Sequence, residues 1–148
     1  MSKKSKKVVD ALNKLLADTY TLYLKTQNYH WNVTGPNFNS LHLLFEAQYQ
    51  DAALTADLIA ERIRKLDARA PGSFKEFLKI TDIKEAEGEP KSMEMVKNLM
   101  KDQETLNASA EAVLKAAEEA GDEPTVDMVI QRQAAHQKNH WMLKAHLE

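Results

Sequence analysis

Residues 28–64 read NYHWNVTGPNFNSLHLLFEAQYQDAALTADLIAERIR and contain the end of one helix, a turn and most of a second helix. Apolar side chains recur at helical spacing on both sides of Gly35-Pro36, a pair that interrupts helices. The second run predicts a helix from about Phe38 to about Leu66. The stretch also holds two of the five histidines, one of the two tryptophans and several carboxylates, so it is the first place to look for chemistry.

The rest of the chain extends this pattern into a bundle. The same periodicity predicts three further long helices, from about Lys6 to near Thr34, from about Ser92 to Ala120 and from about Pro124 to Leu147. A connector of residues 67–90 separates the second long helix from the third, and its Ser73 and Glu76 form a capping-box pattern that predicts a short helix over Phe74–Ile80. Four long helices with one long link predict an all-α four-helix bundle with a crossover connection.

Helix ends and apolar stripes support this assignment. Asn37 is the predicted N-cap of the second helix, and Gly121 is the predicted C-terminal stop of the third long helix. The Leu, Val, Ile and Met positions at helical spacing are assigned to the bundle core, among them Leu12, Leu15, Leu24, Leu41, Ile59, Ile63, Leu99 and Val113. The apolar residues of the last helix are Val126, Val129, Ile130 and Trp141. Gln133 and Gln137 interrupt that stripe, and a hydrated subunit contact is one explanation.

Composition narrows the class of protein. The 148 residues predict one domain, residues 8–148, preceded by a short mobile Lys-rich tail over residues 1–7. Without cysteine, the chain has no disulfide and no thiolate ligand, so any bound metal is held by His, Asp, Glu or backbone oxygen. A net charge of −2 argues against a nucleic-acid surface over the whole body. The start of the chain has no signal-peptide pattern, and we predict a cytoplasmic protein.

Four candidate metal ligands share one stripe of the second helix. With His42 at zero, Glu46 lies at about 40°, Asp57 at about 60° and Glu61 at about 100° around an ideal helix. The stripe borders the apolar side of the helix, so the four candidate ligands are predicted to be partly buried. His42 and Asp57, however, are separated by about 22 Å along the axis. Because ligand bonds are only about 2 Å long, no single ion joins the two pairs within one helix. They are therefore two half-sites.

An antiparallel pairing of two such helices would complete both half-sites. A two-fold axis crossing near Asp51 and Ala52 would place residues 42–46 of one chain opposite residues 57–61 of the other. Ala52 and Ala53 are small enough to permit a close approach, and His30 would complete the set if it faces the same place. Mixed imidazole and carboxylate ligands suit iron, manganese or zinc. The competing arrangement, a metal inside one bundle, uses Glu-x-x-His pairs, and this chain has none.

The motif as a whole resembles the Dps family (DNA-binding protein from starved cells), the mini-ferritins. The residues that carry the resemblance are His30-Trp31-Asn32-Val33-x-Gly35-x-x-Phe38-x-x-x-His42, then Glu46, then Asp57-x-x-Ala60-Glu61-Arg62. The resemblance implies a ferritin-like four-helix bundle with a short helix in the long connector, assembled from two-fold dimers into a dodecameric hollow cage. It implies a ferroxidase that oxidises Fe(II) with hydrogen peroxide, stores the ferric iron and so protects against oxidative damage.

The resemblance also implies a role for each residue of the motif. The ferroxidase centre at the two-fold interface would take its iron ligands from His30, His42 and Glu46 of one subunit and from Asp57 and Glu61 of its neighbour. Trp31 would lie beside the centre and would pack against it or quench a radical. The family more often has Asp where this chain has Glu46, which leaves open whether Glu46 binds iron directly or only positions it.

Two further groups of acids and histidines need an interpretation. Three acids near the start of the last helix match the family's pore acids for iron uptake, Asp122, Glu123 and Asp127. The competing interpretation is that they are favourable charges at a helix N-terminus. His136 and His140 lie four residues apart but have no evident acidic partner in the sequence. We therefore assign them to a solvated face or a subunit contact.

The lysines at the start of the chain offer the alternative function. Lys3, Lys4, Lys6 and Lys7 would contact DNA phosphates. A cage would repeat these lysines over its surface, and their combined contacts would allow the protein to bind the nucleoid and protect DNA. The tail is short and the net charge of the chain is slightly negative, and both disfavour DNA binding as the main role. A plain four-helix scaffold is the third interpretation, and the intact ligand set argues against it.

Overall fold

The computed structural model describes residues 1–148, and it contains five α-helices and no strands. The helices are α1 (Lys3–Asn32), α2 (Phe38–Lys65), α3 (Phe74–Ile80), α4 (Ser92–Ala120) and α5 (Glu123–Lys144), followed by a 3-10 turn over Ala145–Leu147. Helix α1 packs against α2 and α4, and α4 packs against α5. The long connector between α2 and α4 carries α3, which contacts α1. This confirms the predicted all-α bundle with a short helix in its crossover.

Short turns reverse the chain within each pair of long helices. Gly35 has a φ of +107°, which only glycine adopts without strain, and it makes the turn that folds α2 back along α1. Asn37 occupies the N-cap position, but its side chain makes no capping hydrogen bond. Gly121 is left-handed, as predicted, and the next N–H, of Asp122, donates to the Ala117 carbonyl at 2.9 Å. The turn residues therefore determine where each long helix stops.

The predicted capping residues start the connector helix, although Glu76 accepts from the Gly72 N–H rather than from the N–H of the N-cap Ser73. The Glu76 N–H donates to Ser73 Oγ at 3.2 Å, and the Glu76 carboxylate accepts from the Gly72 N–H at 3.3 Å. Arg69 donates to both Glu76 oxygens, and this pairing is the main reason that the Glu76 pKa falls to about 2. Local hydrogen bonds thus give a seven-residue helix a defined start.

One hydrophobic core runs through the bundle. Its largest fully buried side chains are Leu12, Leu15, Tyr29, Leu41, Phe45, Ile59, Ile63, Leu99, Leu106 and Leu143. The predicted core was too wide at two positions, because Leu24 and Ile130 lie exposed on the outer flanks of their helices. A four-helix bundle buries only a narrow stripe of each helix. On α5 that stripe includes His136, which we did not assign to the core.

A buried carboxylate ties the crossover connector to the bundle. Asp18 on α1 is fully buried and accepts hydrogen bonds from the Ser109 hydroxyl at 2.6 Å, the Thr81 hydroxyl at 2.6 Å and the Asp82 N–H at 2.9 Å. Lys14 pairs with the same carboxylate. The four donors come from α1, the connector and α4, so one side chain joins three parts of the chain.

The lysines at the start of the chain lie in the first turns of α1. Helix α1 begins at Lys3 rather than near Lys6, because the Ser2 hydroxyl accepts from the Ser5 N–H at 3.1 Å and caps it. The early lysines are exposed, and Lys6 pairs with Asp10 at 2.9 Å. The predicted mobility of residues 1–7 stays a prediction. None of the helices combines the length and the apolar composition needed to cross a lipid bilayer.

Candidate metal centre

The turn between α1 and α2 brings two histidines face to face. The rings of His30, near the end of α1, and His42, near the start of α2, stack with centroids 3.8 Å apart and planes 14° apart. His30 Nδ1 lies 2.7 Å from the His42 carbonyl oxygen, and His42 Nδ1 lies 2.7 Å from the His30 carbonyl oxygen. The two residues therefore hold each other in place through reciprocal hydrogen bonds.

These hydrogen bonds determine which nitrogen of each ring is free to bind a metal. A carbonyl oxygen only accepts, so each Nδ1 carries the proton and donates it. In the neutral ring, Nε2 is then left with a lone pair, which is the state required of a metal ligand. Both His30 and His42 are thus prepared for coordination through Nε2, as metal-binding histidines usually are.

Glu46 lies one helical turn beyond His42 and completes the first half-site. Its Oε1 is 3.9 Å from His30 Nε2, so a small movement of the carboxylate would bring both atoms to the separation of two ligands on one ion. Within one chain, however, no group of three or more His, Asp or Glu side chains is arranged to hold an ion. The first half-site therefore has two imidazole donors and one carboxylate nearby, and it needs further ligands.

Asp57 and Glu61 form the second half-site, farther along α2. Both are exposed in the single chain, so the predicted partial burial is wrong for these two acids. The neighbouring cation, Arg62, does not neutralise them, because it donates to Asp122 and to Thr125, each at 2.9 Å. Two carboxylates on the same face are thus left without a partner in their own chain.

Apolar side chains cover the surface of α2 between the two half-sites. Leu54 is 71% exposed, Leu58 is 57% exposed, and Leu43 and Ala47 are also exposed. Leu43 and Leu58 are equally far in sequence from a point between residues 50 and 51, as are Ala47 and Leu54, and this point is one residue before the centre of α2. A two-fold axis near residues 50 and 51 would therefore place leucine against leucine and alanine against leucine. This surface, Leu43, Ala47, Leu54 and Leu58, is called the α2 apolar stripe below.

The alanine pair predicted at the crossing point needs a correction. Ala52 is buried in the core of its own chain and is not available to a partner, whereas Ala53 is half-buried. Ala53 and Asp57 line a groove of about 470 Å³ between α1, α2 and α3, and most of its lining is apolar. The second half-site therefore lies at the edge of a groove large enough to receive side chains of another chain.

Trp31 was predicted to lie beside the metal centre, and the acids at the start of α5 were predicted to line a pore for iron uptake. The Trp31 indole is 60% exposed and follows His30 directly, so it lies on the surface beside the first half-site. Asp122 is the N-cap of α5, accepting from the Thr125 N–H at 3.2 Å as well as from Arg62. Glu123 and Asp127 are exposed. Among these three acids, Asp122 is thus committed to holding the start of the helix.

The interpretation of His136 as a surface residue is wrong. His136 is only 3% exposed, and its Nδ1 lies 2.8 Å from Gln103 Oε1 on α4. Burial first, and the charge of Arg132 second, lower the His136 pKa to about 3. His140 has an acidic partner after all, since its Nε2 lies 3.3 Å from Glu104 Oε1. Sequence reasoning missed these contacts because both partners lie on a different helix.

Acid should destabilise the chain through His136. The unfolded state binds a proton below the ordinary His pKa of 6.5, whereas the folded state does not until the pH falls to about 3. The stabilisation is therefore complete above pH 6.5 and is lost as the pH falls, by about 1.4 kcal/mol per pH unit. Urea unfolding at pH 7, 6, 5 and 4 should show a shallower decline for His136→Gln. A decline as steep as in the wild type would contradict this assignment, and His146→Gln is the control.

Comparison with known proteins places these features in a family. A family model described as a ferritin-like domain matches residues 9–148. DNA protection during starvation protein 2 of Bacillus anthracis is 36% identical over 143 residues, covering 97% of this chain and 98% of that protein. The crystal structure of a Dps protein from Bacillus brevis superposes with a TM-score of 0.97 at 36% identity, covering 100% of this chain and 99% of that one.

A third similar protein adds a chemical description. The Dps protein of Vibrio cholerae O1 is described as a member of a broad superfamily of ferritin-like diiron-carboxylate proteins. Its crystal structure superposes with a TM-score of 0.94 at 36% identity, covering 98% of this chain and 91% of that one. The similarity therefore extends over the bundle, the turns and the connector together.

Proposed function

This chain belongs to the Dps group of the ferritin-like family, and from that membership we propose that it takes up Fe(II), oxidises it and stores the ferric product. Iron handling and protection of DNA are the general roles of the group. The observation that carries the proposal is the separation of two prepared half-sites on one helix. His30 and His42 present free Nε2 atoms at one end, and Asp57 and Glu61 present unpaired carboxylates about 22 Å away.

Each oxidation site is composed from two chains. His30, His42 and Glu46 of one subunit would face Asp57 and Glu61 of its two-fold partner, so that each dimer has two identical sites. Imidazole nitrogen and carboxylate oxygen are suitable ligands for iron as substrate. The carboxylates also compensate the additional positive charge when Fe(II) becomes Fe(III). The 3.9 Å between Glu46 and His30 supports a direct contact between Glu46 and the iron.

Hydrogen peroxide is the oxidant in this proposal. Two Fe(II) ions each give one electron to one peroxide molecule, its O–O bond breaks, and two protons are taken up to form two water molecules. The reaction consumes ferrous iron and peroxide together, and these are the two reagents that generate hydroxyl radicals. The exposed Trp31 beside His30 would be covered by the partner chain, where its indole is placed to quench a radical that escapes the site.

The assembly that the site requires is a dimer, and dimers would build the dodecameric cage. The α2 apolar stripe supports the dimer, because it runs alongside the half-sites and is symmetric about a point between residues 50 and 51, close to the centre of the helix. The exposed acids Glu123 and Asp127 at the start of α5 would line the pore, where negative charge draws in Fe(II). Asp122 would support that pore as the N-cap of α5 rather than as a free carboxylate.

Leu58→Lys should weaken the dimer. Burying one leucine at an interface stabilises it by about 1.5–3 kcal/mol, so its loss weakens association roughly 10- to 100-fold for each copy. Sedimentation velocity should then show a smaller particle than the wild type, together with slower iron oxidation. Ala112→Lys, which adds the same charge to an exposed position of α4, is the control. An unchanged particle size for Leu58→Lys would exclude the α2 apolar stripe as the interface.

The oxidation site itself is tested with metal-free protein. Fe(II) is added under anaerobic conditions, peroxide follows, and ferric absorbance is recorded for the wild type and for a His30→Ala/Glu61→Ala variant. The variant loses one ligand from each half-site, and its rate should fall at least on the order of 100-fold. Glu94→Ala changes an exposed acid on α4 and should oxidise iron normally. Equal rates for the wild type and the His30→Ala/Glu61→Ala variant would show that the site assignment is wrong.

DNA binding is a second candidate function, supported by the exposed lysines on the first turns of α1. Lys3, Lys4 and Lys7 have no acidic partner, and a cage would repeat them over its surface. The protein would then associate with the nucleoid in the cytoplasm. Deletion of residues 1–7 should abolish salt-dependent retardation of plasmid DNA, whereas undiminished retardation would refute the role of the lysines.

A further inference from the structure

A polar pocket lies between α4 and α5, away from the half-sites of α2. It has a volume of about 220 Å³, and no hydrophobic residue lines it. Its lining residues are Gln103, Glu104, Asn107, His136, Gln137 and His140. This group is called the α4–α5 pocket below. A wholly polar pocket within a helix pair needs an explanation, because apolar packing is what normally joins two helices of a bundle.

Several atoms of this pocket are buried without a hydrogen-bond partner. They are Nε2 of His136, Nε2 of His140 and Oδ1 of Asn107. His136 itself is only 3% exposed. An unpaired buried polar atom costs free energy, and native proteins rarely keep one unless water or an ion satisfies it. His136 Nε2 and Asn107 Oδ1 have no partner at all, and His140 Nε2 has only its 3.3 Å contact with Glu104 Oε1, so these atoms indicate an occupant of the pocket.

His136 is already in the state that binds a metal ion. Its Nδ1 lies 2.8 Å from Gln103 Oε1, and an amide oxygen only accepts, so Nδ1 carries the proton and Nε2 has the lone pair. A second residue that fixes the tautomer in this way is typical of metal-binding histidines.

The neighbouring charges allow a cation to enter. Arg132 is paired through two hydrogen bonds with Asp51, at 3.1 and 2.7 Å, which reduces its repulsion of a positive ion. Glu104 brings a negative charge to the rim of the pocket, and its side chain is 61% exposed. Glu104 therefore has room to change its rotamer and follow an ion inward.

The spacing of His140 and Glu104 matches that of two ligands on one ion. His140 lies one turn beyond His136, and two histidines at this spacing chelate a metal from one helix face. His140 Nε2 and Glu104 Oε1 are 3.3 Å apart. Two ligands at about 2.1 Å from a tetrahedral ion are separated by about 3.4 Å. The free carboxylate and imidazole thus have the separation that a shared ion would impose.

We propose that the α4–α5 pocket binds one divalent transition-metal ion of zinc's ligand preference through His136 Nε2, His140 Nε2 and the Glu104 carboxylate. Asn107 or water completes the coordination. The three side chains are not prearranged around one point in the free chain, so Glu104 moves in when the ion binds. Because all ligands belong to one chain, this site does not require the dimer, and the ion joins α4 to α5.

Zinc binding to protein stripped with a chelator tests the pocket. The His30→Ala/Glu61→Ala variant serves as background, because it removes the proposed oxidation site. Equilibrium dialysis should show one zinc ion bound per chain in this background. It should show none when the chain also carries the substitution His140→Gln. Zinc should also raise the melting temperature of the background by roughly 5 °C at saturating concentration, and it should leave the His140→Gln protein unchanged.

Controls separate this proposal from the iron-oxidation proposal. His140 is half-exposed, so its substitution should not prevent folding. Gln137→Ala is the matched control, because it alters the same pocket without removing a ligand. His140→Gln in the otherwise wild-type protein should oxidise iron at the normal rate. If His140→Gln and Glu104→Gln retain the bound zinc, the pocket holds only water and the metal proposal is wrong, while the oxidation site is unaffected by that result.

Discussion

A mixture of two inactive variants should recover about a quarter of the wild-type iron-oxidation rate if the site is shared between chains. One variant carries His30→Ala/His42→Ala, and the other carries Asp57→Ala/Glu61→Ala. In a mixed dimer one site loses both half-sites, but the other receives intact histidines from one chain and intact acids from its partner. Random association makes about half of the dimers mixed, each with one working site of two.

Co-expression with two different affinity tags provides the measurement. Cages that carry both tags, and so keep a random mixture of dimers, are purified in sequence, loaded with Fe(II) anaerobically and mixed with peroxide. The initial rate of ferric absorbance is compared with the wild type. Each variant co-expressed with a tagged copy of itself is the control and should remain inactive. No recovery in the mixed particles would show that both halves of the site belong to one chain, contrary to the 22 Å separation along α2.

Asp18→Ala should lower the free energy of unfolding by about 3–5 kcal/mol, the cost of removing one partner from a buried ion pair. The Asp18 carboxylate is fully buried and accepts hydrogen bonds from Ser109, Thr81 and the Asp82 N–H, and it pairs with Lys14. Its removal leaves these donors unpaired and frees the crossover connector from α1 and α4.

Urea unfolding, followed by circular dichroism, measures this effect. Asp10→Ala on the same helix is the matched control, because Asp10 pairs with Lys6 on the surface and its loss should cost less than about 1 kcal/mol. Asp18→Asn should have an intermediate effect, since the amide oxygen can still accept while the charge is lost. A cost for Asp18→Ala as small as that of Asp10→Ala would refute the structural role of the buried carboxylate.

Local rules explain why so much of the fold was predictable from the sequence. Apolar periodicity and turn residues predicted the long helices to within a few residues, and the capping pattern of Ser73 and Glu76 predicted α3 with its observed bounds. The stop at Gly121 was likewise correct. These features depend on residues a few positions apart. The predicted core was less accurate at Leu24 and Ile130, because periodicity does not show how wide a stripe the neighbouring helices cover.

The candidate site, like the fold, was predictable from the sequence only in part. Helical geometry alone separated His42 and Glu46 from Asp57 and Glu61, so the requirement for a partner chain follows from sequence spacing. The reciprocal hydrogen bonds that leave Nε2 free on His30 and His42 depend on how α1 and α2 meet at the turn. Spacing within one helix identifies the candidate ligands, whereas the protonation of their rings depends on backbone atoms of the other helix.

The sequence by itself therefore determined the helices, their ends and the division of the metal ligands into two halves, because these follow from short-range spacing along a regular helix. Only the tertiary structure decided that Asp18 joins the connector to the bundle and that His136 is buried beside Gln103. Those contacts join residues 33 to 91 positions apart, and which distant side chains meet depends on the packing of the whole bundle.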